Sequence, residues 1–213
     1  MATPITTGRV RDAERTRAEL LEVATHVFAE DGYSGARVDE IAERTRTTKR
    51  MIYYYFGGKE QLYLAVLEQA YTTIRAAENA LPLTDLAPLE ALRQLAELTY
   101  DHHLQHPDFI RLVSIENIHR GEFVRRISSL PALSAPIVSR LDALLAAGRA
   151  TGEFRTDVDA LDVHLVISSY CVFQVANQHT FGYLFGRDLT APNGRDHLRT
   201  MIGDVVVGWI TAR

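Results

Sequence analysis

Two short stretches decide the fold, VDEIAER at Val38–Arg44 and KRMIYYYF at Lys49–Phe56. Their lengths and the short polar turn between them are those of a helix-turn-helix. Ile41 lies on the apolar side of the first stretch. In the second, Ile52 and Phe56 recur four residues apart and therefore face the same way. The second helix would then present its other side chains to solvent, as a helix that enters a DNA groove must.

The polar residues around the second stretch have the chemistry that DNA requires. Thr48 is placed to cap the helix, whose first amides could face a phosphate. Lys49 and Arg50 can neutralise phosphates or contact guanine, and tyrosine hydroxyls can bond phosphates. The alternative is a helical hairpin whose tyrosines pack in a core. Tyr55 lies nearest the Ile52–Phe56 stripe and could do so, but three adjacent tyrosines cannot all point inward from one helix.

The charge of the chain is unevenly distributed. Its 213 residues are 46% hydrophobic and 23% charged, and the net charge of -4 argues at first against a nucleic-acid partner. However, residues 1–60 are neutral in sum, and residues 61–213 carry the whole excess of acid. The window 36–59 holds six basic and three acidic residues, so its sum is +3. A solvated charged face would explain this cluster as well as phosphate binding would.

Apolar residues recur at helical spacing along the chain, and no stretch shows sustained alternation, so an all-α protein of about nine helices is predicted. The proline-containing segment Leu81–Pro88 is the best candidate for a domain boundary. Residues 121–133 are expected to form a short helix and a loop. The later helices are predicted at 88–105, 107–119, 134–150, 158–181 and 194–211.

Several functional classes are disfavoured by what the sequence lacks. The single Cys171 excludes an intramolecular disulfide and a multi-cysteine zinc site. No membrane helix or signal peptide is expected, so a cytoplasmic protein is predicted. Gly-rich phosphate loops, nucleophile elbows and metalloprotease motifs are absent, so we expect no enzyme and no cofactor. The competing hypothesis is an all-α enzyme or a small-molecule-binding module without DNA contact.

Three stretches together resemble the N-terminal domain of TetR/AcrR-family transcriptional regulators: RTRAELLEVATHVFAEDGY from Arg15, VDEIAERT from Val38, and KRMIYYYFGGKEQLY from Lys49. The resemblance implies an N-terminal three-helix DNA-binding domain at residues 1–60. It also implies a helical ligand-binding and dimerisation domain at residues 61–213. The expected function is that of a homodimeric repressor, which binds a palindromic operator in double-stranded DNA and responds to an unidentified small-molecule effector.

The resemblance also implies individual DNA contacts, with Lys49 to Tyr55 as the recognition helix, Tyr53 on a phosphate and Lys59 on the backbone. Two residues depart from the family pattern. Arg37 stands where a Ser or Thr usually caps the second helix, and Arg46 stands where the turn usually has glycine, so local strain is expected there. Either could add a phosphate contact. The predicted DNA-binding residues are Arg37, Arg46, Thr48, Lys49, Arg50, Tyr53, Tyr54 and Lys59.

The second domain offers two candidate surfaces. The last helix is apolar over more than one core-facing stripe, so its residues Met201, Val205 and Trp209 are assigned to a dimer interface. The alternative is a helix fully buried in a single core. Tyr170, Gln174 and Asn177 share one face of the helix at 158–181 and, with Asn117 and His119, are the predicted ligand contacts. These polar groups could instead bond one another, water or a partner subunit.

A histidine cluster near the end of the helix at 88–105 has two interpretations. His102 and His106 lie four residues apart, the spacing of metal ligands on a helix, and His103 lies between them. The alternative is a helix-end cluster stabilised by the helix dipole. Because no cysteine lies nearby, and because position 103 is His and not the Glu of an H-E-x-x-H arrangement, no metal site is predicted.

Overall fold

The computed structural model describes residues 6–211, and this range contains ten α-helices, two short 3-10 helices and no strand. The all-α prediction is therefore confirmed. The 3-10 helices cover Leu83–Asp85 and Val124–Arg126. The α-helices are α1 Thr6–Gly35, α2 Val38–Arg44, α3 Lys49–Phe56, α4 Lys59–Ala80, α5 Pro88–Gln105, α6 Pro107–Ile118, α7 Leu130–Ala150, α8 Ala160–Ala176, α9 Gln178–Phe185 and α10 Pro192–Thr211.

The chain forms two compact units, and the first is assembled from two separate segments. Unit 1 comprises the residues up to Ala70 together with Arg111–Ile127, and unit 2 comprises Tyr71–Ile110 and the residues from Ser128 onward. This division differs from the expected boundary at residue 60, because α4 continues without a break and a later segment returns to unit 1. The proline-containing segment Leu81–Pro88 does not separate the units, since it lies within unit 2 and buries Leu83 there.

The core of unit 1 joins α1–α4 to the returning segment. The carboxylate of Glu116, which is buried, accepts hydrogen bonds from Tyr63 Oη at 3.0 Å, from the Phe123 amide at 3.1 Å and from the Val124 amide at 3.0 Å. The Tyr63 ring also packs edge-on against Phe123, with 5.1 Å between centroids. Burial and the Glu116 carboxylate raise the pKa of Tyr63, which therefore stays a hydrogen-bond donor. The apolar core residues include Leu20, Ala24, Val27, Phe28, Ile41, Ile52, Leu62 and Val66.

The core of unit 2 is formed mainly by α5, α7, α8 and α10. On α10, one stripe of residues at four-residue spacing is buried: Leu198, Ile202, Val206 and Ile210. Helix α8 begins with a reciprocal capping box, in which Asp159 and Asp162 accept each other's backbone amide hydrogens. α7 has the length and composition to cross a membrane. However, it packs into this core through four aliphatic side chains, Ile137, Leu141, Leu144 and Leu145.

Two predicted helices differ from the observed ones. The helix expected at 158–181 is two helices, because Asn177 caps the end of α8 and α9 follows as far as Gly186, whose φ is 64°. The helix expected from residue 134 begins earlier, at Leu130. Pro131 lies in its first turn, where the missing amide hydrogen would have no partner in the helix anyway. In unit 1, Gly32 introduces a kink near the end of α1, since its φ of 68° and ψ of 176° are not helical.

Candidate nucleic-acid interface

The helix-turn-helix is held together by apolar residues that α2 and α3 bury in the core of unit 1. Ile41 of α2 and Ile52 of α3 are completely buried. Between the helices, Arg46 adopts a left-handed conformation with a φ of 52°. This conformation lets the Thr47 amide donate to the Ala42 carbonyl at 2.9 Å. The expectation of strain at Arg46 is confirmed, and the conformation costs a non-glycine residue about 1–2 kcal/mol.

Helix α3 presents a polar face to solvent. Tyr53 is 54% exposed and Tyr54 is 77% exposed, whereas Tyr55 is half-buried. Lys49 and Arg50 are exposed in the first turn. The division of the three tyrosines therefore follows the periodicity of the helix, and the hairpin with a tyrosine core is excluded.

The caps of these helices are made by backbone rather than by side chains. Thr48 is the residue before α3, but its hydroxyl makes no capping hydrogen bond; its carbonyl accepts from the Met51 amide at 2.9 Å. Arg37 precedes α2 and likewise makes no capping bond. The loss of a side-chain cap at Arg37, expected from its departure from the family pattern, is confirmed.

Ion pairs neutralise part of the positive charge of this surface. Lys49 Nζ lies 2.6 Å from Asp39 Oδ1, and Arg37 lies 3.9 Å from the same carboxylate. Arg46 and Arg50 form no ion pair among the described residues. The unneutralised guanidinium groups of this surface are thus at the turn and in the first turn of α3.

Lys59 joins the start of α4 to the end of α1. Its Nζ lies 4.9 Å from the centroid of the Tyr33 ring and 3.5 Å from the Ser34 carbonyl oxygen. Partial burial lowers the pKa of Lys59. The ammonium group of Lys59 therefore links the start of α4 to the end of α1. Its contact with the DNA backbone stays a prediction.

The residues predicted to bind a ligand are divided between the two units, and their role stays a prediction. Asn117 and His119 are exposed and belong to unit 1, where the Asn117 amide donates to the Val113 carbonyl at 2.8 Å. In unit 2, Tyr170 Oη donates to the Leu198 carbonyl at 2.9 Å, and Asn177 is the cap at the end of α8. Sequence spacing shows which residues share one face of a helix, but it does not show which unit a different helix belongs to.

Tyr170 and Gln174 do share a groove, which lies between α8 and α10 and has a volume of about 460 Å³. Gln174 is buried, and its Oε1 has no hydrogen-bond partner among the described residues. The groove is otherwise largely apolar, with Val166, Phe173, Ile202 and Val205 among its lining residues.

An apolar face surrounds this groove. On α10, Val205 is 45% exposed, and Met201 and Trp209 are half-buried, so the three predicted interface residues lie outside the buried stripe. The alternative of a fully buried last helix is therefore wrong. Helix α8 adds the exposed side chains of Leu161, Leu165 and Phe173.

Two of the three histidines of the cluster are buried and uncharged at neutral pH. His102 and His103 are both buried, whereas His106 is exposed. Burial, together with the nearby His106 and Arg75, lowers the pKa of His102 to about 4. Burial also lowers the pKa of His103 to about 3, with His102, Arg75 and His164 adding to the effect. Neutral imidazoles gain nothing from a helix dipole, which counts against the helix-end interpretation. In the part of the chain that the structure describes, no group of three metal-ligating side chains is placed to hold a metal ion.

Comparison with known proteins agrees with this geometry. Residues 20–66 match the family "Bacterial regulatory proteins, tetR family", and residues 88–206 match the family "Tetracyclin repressor-like, C-terminal domain". The HTH-type transcriptional repressor NicS of Pseudomonas putida is 36% identical over 207 residues, which cover 97% of this chain and 98% of that protein. The chain belongs to the TetR family of bacterial transcriptional regulators. It is therefore a DNA-binding transcriptional regulator and not an enzyme.

Solved structures share the fold over nearly the whole chain. The transcriptional regulator SCO4942 from Streptomyces coelicolor has a TM-score of 0.69 and 27% identity, covering 92% of this chain and 98% of that one. FadR from Bacillus subtilis, solved in complex with stearoyl-CoA, has a TM-score of 0.67 and 18% identity, covering 91% of this chain and 98% of that one. At that identity, the likeness to FadR shows the fold alone.

Proposed function

We propose that this protein is a cytoplasmic repressor that binds a palindromic operator as a homodimer and leaves it when a small molecule binds unit 2. The observation that carries the proposal is the exposed face of α3. It offers Lys49, Arg50, Tyr53 and Tyr54 to solvent from a helix whose apolar side is fixed in a core. Cationic and hydroxyl side chains of this kind bind phosphates and the edges of bases. The similarity to the repressor NicS supports repression rather than activation.

The DNA-binding part of the proposal is tested with the DNA that flanks the gene, by footprinting and by titration at several salt concentrations. Lys49→Ala combined with Arg50→Ala should weaken binding at least ten-fold. It should also flatten the salt dependence, because each lost phosphate contact removes about 0.9 from the slope of log K against log salt. A matched control, Arg187→Ala combined with Arg195→Ala, removes the same charge from exposed positions in unit 2. Unchanged affinity of the α3 double variant would show that α3 is not the recognition helix.

The homodimer is proposed from the exposed apolar face of α8 and α10. A monomer that left Leu161, Leu165, Phe173 and Val205 in water would keep a large apolar patch on its surface. A two-fold axis would let this face cover itself, as an isologous interface requires. Val205→Arg should therefore halve the mass measured by light scattering and weaken operator binding, because half-sites one helical turn apart need two linked recognition helices. A dimer of unchanged stability would assign this face to another partner.

Release by an effector follows from population shift. A ligand that binds better to one arrangement of unit 2 favours that arrangement, and the operator favours the arrangement with correctly spaced recognition helices. FadR, which shares this fold, is solved with an acyl-CoA ligand, which supports small-molecule binding as a property that the fold can carry.

A further inference from the structure

Unit 2 buries an ionic cluster in the middle of its apolar core. Arg75 and Glu78 lie one turn apart on α4, and Arg75 Nη1 is 2.5 Å from Glu78 Oε2 and 3.4 Å from His164 Nε2 of α8. His102 and His103 of α5 lie close enough to Arg75 for its charge to lower their pKa values. Burying such a pair costs several kcal/mol per ion, and well-packed apolar side chains in its place are often as stable or more so. Stability of the fold therefore does not explain the cluster.

The cluster also contains polar atoms without hydrogen-bond partners. Among the described residues, Arg75 Nε and both ring nitrogens of His102 have none. The residues of the cluster are largely buried: the exposed fractions are 8% for Arg75, 6% for His102 and 5% for His103. Each unsatisfied buried group costs about 1–3 kcal/mol. These atoms are arranged for hydrogen bonds that the protein itself does not supply.

The charge of the cluster selects the sign of a ligand. Arg75 pairs with the carboxylate of Glu78, and a second guanidinium lies near it, since Arg140 of α7 donates to the main-chain carbonyl oxygens of Glu78 and Leu81 and its charge acts on Glu78. Burial raises the pKa of Glu78, whereas Arg75 and Arg140 lower it. With Glu78 ionised and the three imidazoles of His102, His103 and His164 neutral, the formal sum is +1. An anionic ligand would neutralise this positive charge, whereas a cationic ligand would be repelled by Arg75.

The surroundings indicate what the anion must carry. A void of about 10 Å³ lies beside Glu78 and His164, with Thr99 and Ser168 also on its polar side; Arg75, His102 and His103 do not line it, so a ligand reaches them only when the surrounding side chains repack. The rest of its lining is aliphatic: Leu95, Ile137, Leu141 and Ile167. A ligand with one charged oxygen group and a short apolar body matches both sides.

We propose that this buried cluster is the effector site and that it binds a small organic acid, whose carboxylate is held by Arg75 and the neighbouring imidazoles. The inference rests on the proposed function, because it names the class of effector that unit 2 would sense. Arg75 supplies a guanidinium whose Nε has no other partner, and guanidinium–carboxylate bonds are among the strongest in proteins. The apolar body of the acid lies among the aliphatic side chains.

Binding must rearrange unit 2. A void of about 10 Å³ accommodates no more than one water molecule. An organic acid can therefore enter only if α8 moves away from α4 and α5, or if their side chains repack. The ligand is thus bound differently by two arrangements of the same unit, which is the condition for a ligand to shift a conformational equilibrium.

The experiment compares small carboxylates with their neutral amides on the full chain. The probes are benzoate with benzamide and hexanoate with hexanamide, together with the cation benzylamine. Thermal unfolding and calorimetry measure binding, and displacement of the flanking DNA measures release. At least one carboxylate should raise the unfolding temperature and release DNA at a concentration at least ten-fold lower than its amide, and benzylamine should do neither. No difference between carboxylates and amides would overturn the proposal, as would a water that satisfies the cluster while no probe binds.

Variants connect the response to the cluster. Arg75→Met combined with Glu78→Met removes both charges, so it should fold and bind DNA but lose at least ten-fold of its carboxylate affinity. Arg75→Lys keeps the charge without the planar fork and should fall between the two. A matched control, Arg93→Met combined with Asp204→Asn, removes an ion pair of unit 2 that lies 2.7 Å apart outside the cluster; it should respond like the wild type.

The proposed function and the proposed effector site can be refuted separately. If the wild type does not bind the flanking DNA, the proposed function is wrong, whatever the probes do. If it binds DNA while the methionine double variant keeps the full carboxylate response, only the effector site is wrong.

Discussion

Replacing Asp39 by Asn should tighten the binding of this protein to DNA of any sequence. In the free protein, the Asp39 carboxylate holds Lys49 Nζ at 2.6 Å and lies 3.9 Å from Arg37. A phosphate can engage Lys49 fully only if that ion pair opens. Asparagine has nearly the same shape as aspartate but lacks the charge, so Lys49 would be available from the start.

The size of the effect follows from the exposure of the pair. The side chains of Lys49 and Asp39 are 55% and 44% exposed, and exposed ion pairs contribute about 0.2–1 kcal/mol. A dimer on a palindrome opens the pair twice, so about 0.4–2 kcal/mol is recovered. At 1.4 kcal/mol for each factor of ten, affinity should rise by roughly 2- to 30-fold at low salt. Because phosphates carry no sequence information, scrambled DNA should gain as much as the operator.

The assay is a fluorescence anisotropy titration of the operator and of a scrambled duplex, with the salt concentration varied. Glu43→Gln is the matched control, because it removes one negative charge from the same helix while Glu43 forms no ion pair among the described residues. The control should change affinity less than two-fold. If Asp39→Asn does not tighten binding, or if Glu43→Gln tightens it equally, the ion pair with Lys49 does not limit phosphate contact and the reasoning is refuted.

Two further predictions concern stability. Glu116→Gln should lower the free energy of unfolding by about 1–3 kcal/mol in urea titrations, because an amide group cannot accept from Tyr63 and two backbone amides at once; the exposed Glu122→Gln should change it by less than about 0.5 kcal/mol. The free energy of unfolding should also fall as the pH drops from about 6.5 to 4, because His102 and His103 bind protons in the unfolded chain but stay neutral in the folded chain. The slope should be at most about 1.4 kcal/mol per pH unit for each histidine, and a flat urea midpoint over this range would mean that the imidazoles are not buried as described.

Local periodicity was enough to predict which side of α3 is exposed. The spacing of Ile52 and Phe56 determines which way Tyr53 and Tyr54 point. The strained turn at Arg46 was expected instead from the resemblance to the family, whose turn usually has glycine at this place. Periodicity also separates the buried stripe of α10 from the outward Val205. Each of these features depends on residues within one or two helical turns of each other, and sequence spacing records such relations directly.

Relations over longer distances could not be predicted in this way. Glu116 bonds Tyr63 across 53 residues, and nothing in either helix indicates the pairing. Arg75 and His164 are 89 residues apart in sequence. The periodicity of each helix therefore does not predict that they come together, although each helix can be recognised by itself. The break at Asn177 was missed for another reason, since asparagine ends a helix only when its backbone context allows it.

The discontinuity of unit 1 limits how this protein can be recombined. Its DNA-reading part is not an N-terminal cassette, because residues 111–127 supply the buried Glu116 and Phe123 that pack against Tyr63. A fusion joined after α4 would leave the Tyr63 hydroxyl without its acceptor and uncover aromatic surface. Designers who exchange sensors between such regulators, and natural gene fusions that do the same, must therefore transfer two segments of the chain together. New specificities for this protein are more accessible through point substitutions within its own sensor than through the exchange of whole domains.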